Sequence, residues 1–190
     1  MNLLIDLLRH GETERGGGLR GSIDDALTAL GWEQMHATAS QLPRWDRLVS
    51  SPLQRCRLFA EALAQSSGAP LSIEADLQEL HFGEWEGRSA ADLMLTHERQ
   101  LGQFWADPYA YTPPGGEPVA EFAARVFGAM DRLQTRFDGE RVLLVTHGGV
   151  IRLISAFARG LPREQLLQVV VGHGECVHLQ RNTEGHLCLV

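Results

Sequence analysis

The stretch LLIDLLRHGET, residues 3–13, decides how this chain folds. It opens with a nearly continuous apolar run, residues 3–8, which is interrupted only by Asp6. An apolar run of this length predicts a strand that is buried on both faces, as in a parallel sheet. Arg9 and His10 follow at once, so a cation and an imidazole leave the sheet at the point where this strand ends.

Two later strands end in a similar way. Arg47–Ser50 is a strand candidate that Arg55 follows closely, and residues 142–146 form a strong buried strand that His147 and Gly148 follow directly. Strands that alternate with helices predict an α/β domain with a mainly parallel sheet. Ligands of such sheets bind outside the carboxyl ends of the strands. We therefore expect three sets of phosphate-binding groups at one edge of the sheet.

The remaining elements complete this alternation. The predicted helices cover residues 29 to about 42 with Thr28 as N-cap, 52 to about 65, one or two segments within 90–105, 119–137 and 149–158, and further strand candidates are residues 70–74, 169–171, 176–179 and 187–190. No repeat, low-complexity tract or linker divides the chain. We predict a single domain, 1–190, that folds as a three-layer α/β/α sandwich around the sheet.

Composition narrows the function. The 190 residues are 44% hydrophobic and carry a net charge of −7, which argues against a general nucleic-acid or anionic-membrane binder. All 17 basic residues are Arg, and the chain has no Lys. Nucleotide binders of the P-loop type, Schiff-base enzymes and pyridoxal-phosphate enzymes all need a lysine amine and are excluded. Guanidinium groups suit bidentate contacts to phosphate.

The cysteine and histidine patterns point away from disulfides and metals. Three cysteines form no CxxC pair, which favours a reduced, cytoplasmic setting. The histidines near the end, His173, His178 and His186, have a spacing that fits no familiar metal site, so no metal is expected. Neither a signal peptide nor a membrane-spanning run is recognisable, and we expect a cytoplasmic protein.

The groups at the sheet edge suit phosphoryl transfer. Arg9 and Arg55 can hold a phosphoryl group, and backbone N–H groups at Gly148 and Gly149, which open a helix, can add neutral donors. Of the two imidazoles, one can attack phosphorus while the other donates a hydrogen bond. Residue types alone do not decide which histidine attacks.

The motifs resemble those of a known family. RHGET at 9–13 is similar to the RHG signature of the histidine phosphatase superfamily, in its phosphoglycerate-mutase-like branch. Five further motifs follow in the family's order: LTALGWEQ at 27–34, SPLQRC at 51–56, ELHFGEWEG at 79–87, PGGE at 114–117 and THGG at 146–149. The resemblance covers residues 3–152, and it implies the phosphoglycerate-mutase-like fold.

The resemblance also implies roles for individual residues. His10 is the nucleophile, while Arg9, Arg55 and His147 bind and neutralise the phosphoryl group. Glu79 donates a proton to the leaving group and then activates water. The arginines do the electrostatic work of a metal ion, so no metal and no cofactor is expected.

The loop after the first motif departs from the family. Asn is common three residues after RHGET, where its side chain helps to hold phosphate, and this chain has Gly16. Arg15 or Arg20 is the candidate replacement.

Three more assignments have two readings each. His81 is either a pocket residue or a satisfied polar group, and Trp85 either lines the pocket or belongs to the core. Arg55 is preferred to Arg57 as a phosphate ligand on motif position alone.

The expected activity is hydrolysis of a small phosphorylated metabolite. The short chain and the GGGLRG loop, residues 16–21, most resemble bacterial α-ribazole-5′-phosphate phosphatases of cobalamin biosynthesis. The alternatives are a phosphoglycerate mutase, another sugar-phosphate phosphatase of the family, or a catalytically inactive binding module. The oligomeric state stays open between monomer and homodimer.

Overall fold

The computed structural model describes residues 2–182 and 184–190. Strands and helices alternate as the sequence predicts, in the order β1 (Leu3–Arg9), α1 (Ala29–Ala39), β2 (Arg47–Ser50), α2 (Gln54–Ser67), β3 (Leu71–Ile73), α3 (Ala90–Ala106), α4 (Val119–Phe137), β4 (Arg141–Thr146), α5 (Gly148–Ala158), β5 (Cys176–Arg181) and β6 (Leu187–Leu189). Short 3₁₀ turns lie at Ala75–Leu77, Gly83–Trp85 and Arg163–Gln168.

The strands form one mixed sheet in the order β3-β2-β4-β1-β5-β6. The four strands from β3 to β1 are parallel, whereas β5 and β6 continue the sheet antiparallel. Arg9 lies opposite Thr146, and Ser50 lies opposite Val145. The strands β1, β2 and β4 therefore end at the same level, which fixes the edge where the predicted site residues emerge.

The sheet is covered by helices on both faces. Successive side chains of a strand point to opposite faces. Accordingly, Leu7 of β1 packs in a core cluster with Val126 of α4 and Ile151 of α5, while its neighbour Leu8 packs in a second cluster with Phe59 of α2. These side chains are essentially inaccessible to solvent, and burying each contributes roughly 1.5–3 kcal/mol. The prediction of a three-layer α/β/α sandwich around a mainly parallel sheet is confirmed.

The start of α1 follows the predicted capping chemistry. Thr28 has an extended backbone, and its Oγ1 accepts a hydrogen bond from the Gly31 N–H at 3.0 Å. The helix ends at Ala39, a few residues before the predicted end.

The predicted strand at residues 169–171 was wrong. Val169 and Val171 are buried and Val170 is exposed, so the side chains do alternate as in a strand. Their backbone carbonyls, however, accept hydrogen bonds from guanidinium groups: Arg152 Nε binds the Val169 oxygen at 2.9 Å, and Arg9 Nη1 binds the Val171 oxygen at 2.6 Å. Side chains thus replace the neighbouring strand that the apolar pattern suggested.

Within the described residues, none of the helices combines the length and the apolarity that a bilayer crossing would require.

Candidate active site

The two imidazoles of the predicted site lie side by side. The His10 N–H donates to the Thr146 carbonyl at 3.0 Å, which ties the end of β1 to the end of β4. The rings of His10 and His147 are 5.3 Å apart between centroids and meet edge to face at 62°. The exposed fraction is 5% for His10 and 0% for His147. Residues 137 positions apart in the sequence are therefore neighbours, as the parallel strands predict.

A backbone carbonyl fixes the tautomer of His10. Its Nδ1 lies 2.8 Å from the Gly11 carbonyl oxygen, and a nitrogen that faces such an acceptor carries the proton. The lone pair of Nε2 is then free. Burial, followed by the charge of Arg55, holds the pKa of His10 well below its ordinary value. His10 is consequently a neutral imidazole with an available nucleophilic nitrogen.

His147 is held from the neighbouring strand end. Its Nε2 lies 2.7 Å from the Ser51 hydroxyl, and the Cys56 sulfur lies 3.7 Å from the same nitrogen. Burial, then Arg55 and His10, hold the pKa of His147 well below its ordinary value. Burial also raises the pKa of the Cys56 thiol, so this sulfur stays protonated. Both histidines are thus neutral when the site is empty of anions.

Arg55 is fully buried at the start of α2. Its Nη2 donates to the Gly21 carbonyl at 3.0 Å, its Nη1 donates to the Ile23 carbonyl, and Nη1 lies 3.5 Å from Asp25 Oδ1. The Nε of Arg55 is buried and has no hydrogen-bond partner in the described part of the chain.

Arg9 shows the same division of its donors. Nη1 binds the Val171 carbonyl, whereas the buried Nε has no partner among the residues described. Burial lowers the pKa of Arg9, although a guanidinium remains charged at any physiological pH. Buried donors without a partner are costly, and a phosphoryl group can satisfy donors of this kind with charge-assisted hydrogen bonds.

The glycines that open α5 allow two close approaches. A Cβ at Gly148 would lie 3.1 Å from Arg9 Nε, and a Cβ at Gly149 would lie 2.1 Å from Glu79 Oε1. The Gly149 N–H donates to Glu79 Oε2 at 2.9 Å, and the Leu80 N–H donates to Oε1 at 2.9 Å. The expectation that the Gly149 N–H serves phosphate was therefore wrong, because Glu79 already accepts from it. The Gly149 N–H orients the carboxyl group of Glu79, the predicted acid, instead.

The loop that carries Glu79 is held in place by Arg125, a residue that was not predicted from the sequence. Arg125 of α4 donates to the carbonyls of Asp76 and Gln78 at 2.8 Å and to that of Glu79 at 2.9 Å. The same guanidinium forms a bidentate ion pair with Glu117 at 2.7 and 2.8 Å. The available signal was the spacing of Glu117 and Arg125, eight residues apart across the start of a helix.

A cavity of about 420 Å³ opens beside Glu79. Its wall is largely apolar and aromatic, with Phe82, Phe104 and Trp105 among the lining residues. Arg152 of α5 contributes a guanidinium at this wall. The cavity borders Glu79, the predicted acid, and is therefore a candidate site for the leaving group of the phosphate ester.

The two candidate replacements for the family asparagine differ. Arg20 is largely buried, donates from Nε to Asp25 at 2.9 Å and binds the Gly16 carbonyl through Nη2. Asp25 therefore lies between Arg20 and Arg55. Arg15 is exposed and forms no ion pair with the described residues.

The two pocket candidates also differ. His81 is half-exposed, with Nε2 3.5 Å from Glu86, and it lines a second, polar cavity that also borders Glu79. Trp85 is fully buried and stacks on Tyr111 at 5.6 Å, so the pocket reading was wrong and the core reading holds.

A third imidazole near His10 was not predicted. The ring centroid of His173 lies 5.7 Å from that of His10. The local sequence around His173 does not indicate this contact, because the two histidines lie far apart in the chain.

Among the described residues, one group has the geometry to hold a metal ion: Asp6, Cys176 and His178. The Asp6 carboxylate, however, already accepts hydrogen bonds from Trp45, from Arg141 and from His178. The group is better explained as a cluster within strands β1, β4 and β5, in which the buried Asp6 pairs with Arg141. Burial raises the pKa of the Cys176 thiol to about 12.

Comparison with known proteins identifies the family. The model of the histidine phosphatase superfamily, branch 1, matches residues 5–189, and the chain belongs to this family. It is 36% identical over 168 residues to a glucosyl-3-phosphoglycerate phosphatase of Mycolicibacterium vanbaalenii, covering 82% of this chain and 74% of that protein. It is 31% identical over 173 residues to an adenosylcobalamin/alpha-ribazole phosphatase of Salmonella typhimurium, covering 88% and 85%.

Solved structures agree with the fold. The crystal structure of an alpha-ribazole phosphatase from Shigella flexneri matches with a TM-score of 0.84 and 29% identity, covering 100% of this chain and 95% of that one. The chain spans 43% of the length of three mycobacterial relatives that match over 157 residues.

Proposed function

We propose that this chain is a metal-independent phosphatase that hydrolyses a small phosphomonoester through a phosphohistidine on His10. One observation carries the proposal: a neutral imidazole with a free Nε2 lies close to the guanidinium groups of Arg9 and Arg55, each of which has a buried Nε–H without a hydrogen-bond partner among the described residues. An anion with several acceptor oxygens fits these donors, and a nucleophile stands ready beside it.

In the first step, Nε2 of His10 attacks phosphorus. The N–P bond forms while the bond from phosphorus to the ester oxygen breaks, and protonated Glu79 gives its proton to the leaving oxygen. Arg9 and Arg55 offset the charge on the phosphoryl oxygens. The Gly11 carbonyl stabilises the cationic, phosphorylated ring through Nδ1–H.

In the second step, Glu79 acts as a base. Its carboxylate takes a proton from water as the water oxygen attacks phosphorus, and the N–P bond breaks. Phosphate leaves, and His10 recovers its lone pair. The hydrogen bonds from Gly149 and Leu80 keep the carboxyl group in one orientation for both transfers.

For the substrate we propose α-ribazole 5′-phosphate, the phosphate of a nucleoside with an apolar aromatic base. The aromatic wall of the cavity beside Glu79 supports this choice, as does the likeness to alpha-ribazole phosphatases. A second candidate is an acidic sugar phosphate, which the Arg152 guanidinium in the same cavity favours.

Turnover of both candidates in excess EDTA tests the proposal. We expect phosphate release without added metal, together with an acid-labile, base-stable phosphoenzyme that rapid quenching traps. Isomerisation of phosphoglycerate without net phosphate release would establish a mutase instead. Binding of phosphate with neither reaction would establish an inactive binding module.

A further inference from the structure

We propose that His173 is a further ligand of the phosphoryl group, one that binds the anion through a proton taken up on binding. The inference deepens the proposed function, on which it rests for the identity of the ligand as phosphate. It concerns a residue that lies outside the family motifs and that the mechanism above does not use.

The position of His173 beside the nucleophile is the first observation. The rings of His173 and His10 are tilted by 38° to each other, with centroids 5.7 Å apart. His173 is exposed, whereas His10 is almost fully buried. Neither nitrogen of the His173 ring has a hydrogen-bond or ion-pair partner in the described ranges of the chain. The imidazole therefore lies at the mouth of the site with its donor capacity unused.

The second observation is that this position is fixed by the catalytic motif itself. The Gly174 N–H donates to the His10 carbonyl at 3.3 Å, and the Arg9 N–H donates to the Glu175 carbonyl at 3.0 Å. The Thr38 hydroxyl donates to the Gly174 carbonyl at 2.6 Å. His173 is thus carried on a loop that is bonded to the backbone of both Arg9 and His10.

Gly174 makes this attachment possible. Its φ of +67° lies in the left-handed region, and a Cβ there would come within 2.8 Å of the Gln34 Cβ. The loop consequently has little freedom to carry His173 elsewhere.

Electrostatics gives the ligand its proton dependence. Burial, followed by the charge of Arg9, lowers the pKa of His173, and Glu12 acts in the opposite sense. The groups that face the ring are thus His10, which is neutral, the Arg9 cation and the Glu12 carboxylate. In the empty site His173 is neutral at pH 7. A phosphate dianion offsets the Arg9 charge and favours the imidazolium, which then donates a charge-assisted hydrogen bond.

The sign of the pH effect follows. Arg9 and Arg55 stay charged at every accessible pH, so their share of phosphate binding does not titrate. The share of His173 requires a proton and grows as the pH falls. Removing this imidazole should therefore weaken phosphate binding more at low pH than at high pH.

Calorimetric titration with inorganic phosphate at pH 6.0, 7.0 and 8.5 tests the inference. His173→Asn keeps a neutral donor, and His173→Ala removes it. We expect both variants to bind phosphate about tenfold more weakly than the wild type at pH 6.0, and the ratio of dissociation constants to approach unity at pH 8.5. Phosphate changes its own charge over this range, but equally for every variant, so the ratio isolates the protein's contribution.

His186→Asn is the matched control. His186 is exposed and directly precedes β6. The neighbouring Leu187 pairs with Arg181 of β5, which in turn pairs with Leu3 at the start of β1. His186 therefore lies at the end of the sheet opposite to His10. It should bind phosphate like the wild type at each pH. A ratio for His173→Asn that stays constant with pH, or that equals one throughout, would overturn the inference. Phosphate binding with the expected ratio but without phosphatase turnover would refute the proposed function and leave the His173 ligand standing.

Discussion

The two halves of the candidate site are built in opposite ways. On the side proposed to bind the phosphoryl group, here called the phosphoryl side, three polar side chains are each held by a backbone carbonyl: His10 by that of Gly11, Arg9 by that of Val171 and Arg55 by that of Gly21. On the leaving-group side, a cavity of about 420 Å³ is lined mainly by apolar side chains from α3, α4 and loops.

This difference separates chemistry from selectivity. Hydrogen bonds to fixed backbone groups allow few substitutions, so under the proposed function the phosphoryl side imposes one reaction on whatever enters it. Apolar contacts are non-directional, so the cavity wall can vary in size and shape without disturbing the reaction. Changes on the first side should therefore reduce turnover of every substrate, and changes on the second should alter the choice among them.

His10→Ala should have the largest effect. If the nucleophile is His10, turnover of all phosphomonoesters should fall by about 10⁴-fold or more, because no covalent intermediate can form. Initial rates and acid-quench labelling with ³²P-labelled substrate measure this. Labelling that persists in the variant would move the nucleophile to another residue, with His147 first among the candidates.

Arg55→Ala should cost about 2–3 kcal/mol or more of transition-state stabilisation, equivalent to a loss of roughly 30- to 150-fold or more in kcat/KM. Arg57→Ala is the control, since Arg57 is partly exposed and pairs with Glu61 one turn along the helix. Thermal melting of both variants separates an effect on binding from a loss of folding. Equal losses in the two variants would show that Arg55 is not a specific ligand of the phosphoryl group.

Gly149→Ala tests the junction between the two halves. The new methyl group would displace the Glu79 carboxyl, so kcat/KM for an alkyl phosphate, which ends at release of the leaving group, should fall roughly 30-fold. For p-nitrophenyl phosphate, whose leaving group needs no proton, kcat/KM should fall much less, even though the later attack of water on phosphohistidine is slowed for both substrates. Gly102→Ala in α3 has nothing within 4 Å of the added carbon and should leave both activities intact. An equal loss with both substrates would mean that Glu79 does not protonate the leaving group.

Trp105→Ala should give the smallest and most selective effect. We expect kcat/KM for a ring-bearing phosphomonoester to fall about three- to tenfold, as for the loss of an aromatic contact, with little change for glycerol phosphate. Leu95→Ala, on the exposed side of the same helix, is the control. A uniform loss across substrates would show that the cavity wall also supports the reaction itself.

Much of the fold, and part of the candidate site, could be predicted from the sequence. The buried strands, their order of emergence and the meeting of His10 with His147 follow from apolar periodicity and from the geometry of parallel sheets. The strand expected at residues 169–171 failed because a side-chain donor and a strand partner satisfy a carbonyl equally well. Periodicity cannot distinguish them.

Contacts that cross from one loop to another were also beyond the sequence. The local sequence around His173 does not indicate the contact with His10. The local sequence around Arg125 likewise does not indicate that its guanidinium binds three carbonyls of the loop that carries Glu79. Trp85 was open to two interpretations for the same reason, since an aromatic residue beside a motif is equally suited to a core and to a pocket.

Arg55 lies near Asp25 and is oriented by backbone carbonyls before any anion binds. Both terminal nitrogens of this guanidinium already donate to backbone oxygens, and one of them lies near a carboxylate, while the buried Nε has no partner in the described part of the chain. Under the proposed function, an arriving dianion therefore meets a cation that is oriented in advance, and it need not break an existing hydrogen bond to bind Nε. The reorganisation energy that water would demand for the same charge is spent during folding, once per molecule rather than once per catalytic cycle.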